Sequence, residues 1–159
     1  MIKEKYIYRL NNKFLNDYSI DFYPELLFKV ERPYTCLLIE DYRGFYICIP
    51  FRSNIYHKNA FIFHNTKHST HSKSGLDYSK IVLINNKYYF DDSNVVIDEE
   101  EYKQTMINIE KIAADASSYV ENYFNHINNV KKMNQNQFNR RYKYSTLKYF
   151  KNIWNNRSN

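Results

Sequence analysis

With 159 residues, 43% of them hydrophobic and 25% charged, the chain has the make-up of one folded domain, not of a disordered or collagen-like polymer. No run approaches the roughly 18 apolar residues of a membrane span, and two glycines leave room for neither a G-x-G-x-x-G loop nor a Walker A loop. The net charge of +6 is unevenly placed: residues 1–40 balance to 0, 41–80 carry +4, 81–130 carry −6 and 131–159 carry +8.

Two basic blocks around an acidic one predict a surface for a polyanion, although a solvated basic tail has the same composition. Met1-Ile2-Lys3-Glu4-Lys5-Tyr6 shows no apolar signal-peptide core, so the expected location is the cytoplasm. Cys36 and Cys48 lie in apolar runs and are expected as buried free thiols in that reducing compartment. The 17 Tyr and 11 Phe fit stacking on bases, but Asn, Lys and Ile rise with them, as in any AT-rich coding sequence.

In chain order, Tyr6-Ile7-Tyr8-Arg9-Leu10 reads as a short strand, and residues 11–31 as a loop with a helical turn. The runs 34–40 and 45–50 flank Asp41-Tyr42-Arg43-Gly44, a hairpin signal with a late glycine. Further short strands are expected at 60–63, 80–84, 87–90 and 95–97, with Asn85-Asn86 as a tight turn. Strands this short and frequent predict a small barrel or strongly bent sheet.

Residues 98–130 change period. Tyr102, Met106, Ile109, Ala113, Ala116, Val120, Tyr123, Ile127 and Val130 recur at steps of three and four, which makes one helix face. Asp98 as cap and Glu101 three residues on resemble a capping box. The regular seam predicts a long helix over 98–129 lying on the sheet; a protein-interaction helix is the other reading. Residues 131–144 are polar and basic. Ser145 then caps a last helix whose apolar face is Leu147, Phe150 and Trp154. The expected architecture is a single α+β domain over 1–159: a strongly bent antiparallel, barrel-like sheet, a long packed helix and a basic helical C-terminus.

Chemistry concentrates after the second hairpin strand, in Ile49-Pro50-Phe51-Arg52-Ser53-Asn54-Ile55-Tyr56-His57-Lys58-Asn59. Cutting RNA without a metal needs a base or polariser on the 2′-OH, an acid on the leaving 5′-oxygen, and cations around the phosphorane. Arg52, Ser53, His57 and Lys58 supply those groups, though the same residues also make an ordinary polar loop. His57, His64, His68 and His71 are loosely spaced for zinc, but no acidic or Cys ligand stands nearby in sequence, so they read as surface histidines. Ser53 sits in no G-x-S-x-G elbow. The loop over 65–80 offers hydroxyls, Lys73, Ser74 and Lys80 to phosphates. In the tail, Arg140, Arg141, Lys143 and Lys148 alternate with Tyr142, Tyr144 and Tyr149, a pattern suited to single-stranded or loop RNA. A non-catalytic RNA- or DNA-binding module would carry the same basic surfaces.

Four stretches in order resemble the TenpN toxins of type III toxin–antitoxin systems, in the ToxN/AbiQ-like endoribonuclease family. They are Arg32-Pro33-Tyr34, the segment Ile49-Pro50-Phe51-Arg52-Ser53-Asn54-Ile55 with His57-Lys58-Asn59-Ala60-Phe61, Ser74-Gly75-Leu76-Asp77-Tyr78-Ser79-Lys80, and the tail Tyr142-Lys143-Tyr144-Ser145-Thr146-Leu147-Lys148-Tyr149-Phe150. The resemblance implies a compact sheet core like that of the Kid and MazF toxins and a sequence-selective, metal-independent endoribonuclease without cofactor. It implies cleavage that leaves 2′,3′-cyclic phosphate ends. The implied partners are a small repeated pseudoknot RNA, which the toxin processes and which closes a protein–RNA ring, and cellular or phage RNA as substrate. The implied role is phage defence by abortive infection.

ToxN carries Thr-Ser-Pro-Lys after the corresponding strand, whereas this sequence carries Arg52-Ser53-Asn54-Ile55. Ser53 therefore carries over directly, as the group positioning the scissile phosphate. Lys58 or His57 stands in for the missing Lys as cation or proton carrier, and Arg52 adds charge. Arg32, Tyr34 and Asn54 are expected to line the RNA groove.

Overall fold

The structure, a computed structural model, describes residues 6–27, 34–91 and 95–158. Arg32, expected in the RNA groove, lies outside the described residues. Strand β1 (Ile7–Leu10) leads into helix α1 (Asn12–Asp17), where the Asn11 side chain accepts the Phe14 N–H at 3.1 Å. A 3-10 turn follows at Pro24–Leu26.

The expected hairpin forms from β2 (Tyr34–Asp41) and β3 (Phe45–Arg52), with Leu38 opposite Cys48 and Asp41 opposite Phe45. Gly44 closes its turn at a φ of +96°, a conformation that costs little only without a Cβ. Beside it the buried Arg43 donates to both Asp41 oxygens at 2.8 and 2.9 Å and to Glu121 at 3.1 Å. Its guanidinium carbon lies 4.6 Å from the Trp154 ring centre, so hydrogen bonds and stacking both secure the turn.

The remaining strands are β4 (Ala60–Ile62), β5 (Gly75–Asp77), β6 (Val82–Ile84) and β7 (Phe90–Asp91). Every pairing is antiparallel, and β3 is the spine. One edge of β3 takes β2. The other takes β6 at residues 46–48 and then β5 at Phe51 and Arg52. Pro50, with no N–H to give a ladder, sits at the changeover.

The strand order β4-β5-β3-β2-β1-β7, with β6 on β3, is open among the described residues. The expected antiparallel α+β sheet is present, but barrel-like closure is not: β4 and β7 stand at opposite ends, three and two residues long.

The long helix expected over 98–129 is two helices, α2 (Glu99–Ile107) and α3 (Ile109–Ile127). Asn108 marks the break: its φ of −105° and ψ of 17° leave the helical region, and its side-chain amide donates back to the Gln104 carbonyl at 2.8 Å. The buried face is offset from the expected seam on both sides of the break, beginning with Glu101 and Thr105 in α2. Ile112, Ala116, Tyr119, Val120, Tyr123 and Phe124 are buried, which shares only Ala116, Val120 and Tyr123 with the expected seam, and Val130 is exposed.

Helix α4 (Gln135–Tyr142), capped by Asn134, forms within the polar, basic segment 131–144. A 3-10 turn at Leu147–Phe150 and helix α5 (Lys151–Asn155) then bury Leu147, Phe150 and Trp154 as expected. The Ser145 hydroxyl accepts the Leu147 N–H at 3.1 Å, and Phe124 stacks on Trp154 at 4.9 Å. Three strand expectations change. Lys87–Tyr89 is a 3-10 turn capped by the Asn86 side chain, residues 95–97 form no strand, and β5 falls within the segment read as loop. Cys36 and Cys48 are buried free thiols.

Candidate active-site groove

Where β3 ends, the chain turns away from the sheet through Asn54, whose φ of +58° is left-handed. Asn tolerates that conformation better than most residues, and such backbone concentrates at functional sites. The Ile55 N–H then donates to the Lys73 carbonyl at 2.9 Å, and Ile55 is buried, so the turn is anchored on its far side. The result is a groove of about 450 Å³. Tyr34, Arg52, Ser53, Asn54 and Ser74, all singled out from sequence, line it together.

Arg52 is the hinge between this groove and a second polar cluster. Its Nε faces Asp77 Oδ2 at 3.5 Å, while its terminal nitrogens have no partner among the described residues. Asp77 is 3% exposed. Its Oδ1 accepts the Ser79 N–H at 2.9 Å and the Ser79 hydroxyl at 2.6 Å, and it faces His57 Nε2 at 3.1 Å. Burial pushes the Asp77 carboxyl up, but the His57 and Ser79 hydrogen bonds and the Arg52 charge outweigh it and hold the group below its ordinary range.

The Asn59 N–H donates to His57 Nδ1 at 3.1 Å. That leaves the imidazole proton on Nε2, aimed at Asp77. Both ring nitrogens are thus engaged inside the protein. In this arrangement the ring of His57, the expected proton carrier, also buttresses Asp77 and, through it, Arg52.

The other expected site residues separate by burial. Lys80, expected to meet phosphate, is 4% exposed, and its ammonium donates inward to Glu25 at 3.0 Å and to the Tyr144 carbonyl at 2.8 Å, as a structural strut would. Burial holds that ammonium below the usual Lys range, despite Glu25. Tyr34 is buried, donates its hydroxyl to the Lys80 carbonyl at 3.3 Å, and is pushed up by that burial. Lys58 and Lys73 are exposed and stand outside the groove lining.

On α4 and beyond, Arg140, Lys143 and Lys148 are exposed, and Arg141 is half-buried over the Tyr119 and Tyr142 rings at 5.4 and 5.5 Å. The Asn59 side chain donates to the Arg141 carbonyl at 3.2 Å, which sets the end of α4 against the His57 loop. Basic tail and polar loop therefore form neighbouring surfaces.

Glu101, read from sequence as part of a helix cap, also lines the groove. The Asp98 side chain caps α2 by accepting the Glu101 N–H at 3.0 Å, as expected. The Glu101 carboxylate does not turn back to complete the capping box. It is 5% exposed and points to the loop over 66–74, where Thr66 and Ser74 hydroxyls donate to it at 3.4 and 3.3 Å and His68 Nδ1 lies 3.1 Å away. Gln104, one turn on, grips the same loop by donating to the His64 carbonyl at 2.6 Å and accepting its N–H at 3.1 Å. The loop is thus clamped to α2. The one available signal was Glu101 itself, an acid three residues into a helix, which capping explained too easily.

Among the described residues no group of three or more His, Cys, Asp or Glu is gathered as a metal site, and no helix is long and apolar enough to cross a membrane. No family model, curated protein or solved structure matches the chain.

Proposed function

We propose that this protein is an endoribonuclease that cuts RNA by attack of a 2′-OH on its own phosphate. The observation that carries the reading is the Arg52 guanidinium. Its Nε faces a buried carboxylate at 3.5 Å, and it offers unpartnered terminal nitrogens to a groove that also holds Ser53 and Asn54. A planar, permanently charged fork of this kind suits a phosphate whose charge grows in the transition state. Ser53 positions the scissile phosphate beside it. The exposed Arg140, Lys143 and Lys148 hold the flanking strand by phosphate contacts.

The order of the four stretches that resemble TenpN toxins supports a finer reading. The protein is the toxin of a type III system, held in check by a small repeated pseudoknot RNA in a closed protein–RNA assembly, and it acts in the cytoplasm in phage defence.

The test is direct. Purified protein is mixed with total RNA in excess chelator, and the 5′ fragments are examined for 2′,3′-cyclic phosphate. Arg52→Ala and Ser53→Ala are each expected to slow cleavage by about 10²-fold or more, the scale of losing one preorganised donor. A need for added divalent metal, or wild-type rates in both variants, would overturn the mechanism. Binding without any cleavage would favour a non-catalytic RNA-binding module.

A further inference from the structure

A second histidine–carboxylate pair stands in the groove itself, and no role has been assigned to it above. We infer that His68, oriented by Glu101, is the general base that takes the 2′-OH proton. This assignment rests on the nuclease reading.

Three features separate His68 from His57. First, its outward nitrogen is open: Nδ1 faces Glu101 Oε2 at 3.1 Å, while Nε2 has no partner among the described residues and the side chain is 65% exposed. A ring that donates from Nδ1 to a carboxylate keeps Nε2 unprotonated and ready to accept. Second, the carboxylate is fixed. The Glu101 side chain is 7% exposed, it accepts from Thr66 and Ser74, and it sits in the first turn of α2, where the helix end favours negative charge. Third, the loop bearing His68 is braced internally. The Thr66 N–H donates to the Ser69 hydroxyl at 2.7 Å, the Ser69 N–H to the Thr66 hydroxyl at 3.1 Å, and the Ser72 N–H to the His68 carbonyl at 3.0 Å.

His68 and Glu101 line the same groove as Arg52, Ser53 and Asn54. Base, phosphate-positioning hydroxyl and cation thus face one space. In the step, Nε2 takes the 2′ proton and the 2′-oxygen bonds to phosphorus. The bond from phosphorus to the 5′-oxygen breaks, and that oxygen leaves with the electron pair and takes a proton from water. His68 then releases its proton to solvent. Glu101 touches no reacting atom and is a positioning residue.

The test uses the full chain and a fluorescent single-stranded RNA of mixed sequence. His68→Ala is expected to lose about 10²-fold or more in cleavage rate. Added imidazole should restore part of that loss, and binding of an all-2′-deoxy analogue should be unchanged. Glu101→Gln should lose a comparable factor. The double variant should be no slower than His68→Ala alone, because Glu101 enters the proton transfer through His68 and a Gln carbonyl still accepts from the loop hydroxyls that Glu101 holds. Since the His68 side chain is largely exposed, its replacement leaves the core intact, and an unchanged urea midpoint verifies this. A wild-type rate in His68→Ala, a slow His68→Ala that imidazole does not rescue, or a Glu101 loss that multiplies onto the His68 loss would each overturn the assignment. A wild-type protein that cuts no RNA would overturn the nuclease reading itself, and the assignment with it.

Discussion

Asp77 Oδ1 lies 3.1 Å from His57 Nε2, and this contact joins the loop after β3 to the end of β5. Arg52 meets the same carboxylate from the opposite side, so one buried anion organises two cationic or protonatable groups. Removing it should therefore cost more than one surface ion pair. Asp77→Ala is expected to destabilise the protein by about 1–3 kcal/mol, the range for removing a buried acceptor and leaving the Ser79 donors unpaired. Urea unfolding gives the figure, and a loss below about 1 kcal/mol would place Asp77 among ordinary surface pairs.

The same carboxylate sets a pH dependence. Asp77 and Asp41 are both held below the ordinary Asp value of 3.8; burial opposes this in each case and the hydrogen-bonding partners prevail. A depressed native pKa stabilises the fold above the unfolded value, and that contribution fades as pH falls through the native one. Unfolding free energy should hold steady from about pH 7 to 5 and drop steeply below about pH 4. Asp77→Asn should flatten the drop. An equal acid slope in variant and parent would show that other groups carry it.

Gly75→Ala tests the close approach of β4 and β5. A Cβ there would overlap the Phe61 carbonyl oxygen, which is backbone and has no rotamer to move aside. We expect a loss of about 2 kcal/mol or more, the scale of an overpacked interior. The thermal midpoint should fall, and activity should fall with it because Ser74 and Asp77 flank the site. A midpoint within 1 °C of the parent would mean the strands can separate freely.

The tail cations should divide into two kinds. Neutralising Arg140 and Lys143 is expected to weaken RNA binding and reduce the slope of log K against log salt by about 0.7 per lost contact, with stability unchanged. Arg141→Ala should also destabilise, since its guanidinium covers the Tyr119 and Tyr142 rings. Lys80→Met should leave the salt slope alone and alter stability, because its ammonium serves Glu25 and the Tyr144 carbonyl. A changed slope in Lys80→Met would return that residue to the binding surface.

Local patterns were readable in the sequence where the responsible force is local. The β2–β3 hairpin, the Asp98 cap, the end of α3 at Ile127 before Asn128-Asn129, and the apolar face of Leu147, Phe150 and Trp154 all follow from spacing and turn chemistry within a few residues. Strand β5 did not show because its three residues, Gly75–Asp77, have no apolar alternation; they are a strand only because β3 and β4 offer edges on both sides. The Asn108 break was hidden by an unbroken apolar period, although Asn competes for backbone hydrogen bonds and favours caps and turns. At the site, Arg52, Ser53 and Asn54 stood together because they are consecutive. Asp77, Glu101 and His68 did not, since each meets its partner only after the chain has returned to the sheet.

The position of β3 has a further consequence for how the molecule opens. Among the described strands, β4 and β5 reach the rest of the sheet solely through Phe51 opposite Leu76 and Arg52 opposite Gly75. So short a seam can part while the β2–β3 ladder stays closed, making β4, β5 and their loop a separate cooperative unit in hydrogen exchange. Amides of β2 and central β3 would then exchange only on global unfolding, and those of β4 and β5 faster and together. An RNA seated across Arg52 and Ser74 would bridge the seam, so occupancy of the groove would be written in the protection of strands the nucleic acid never touches.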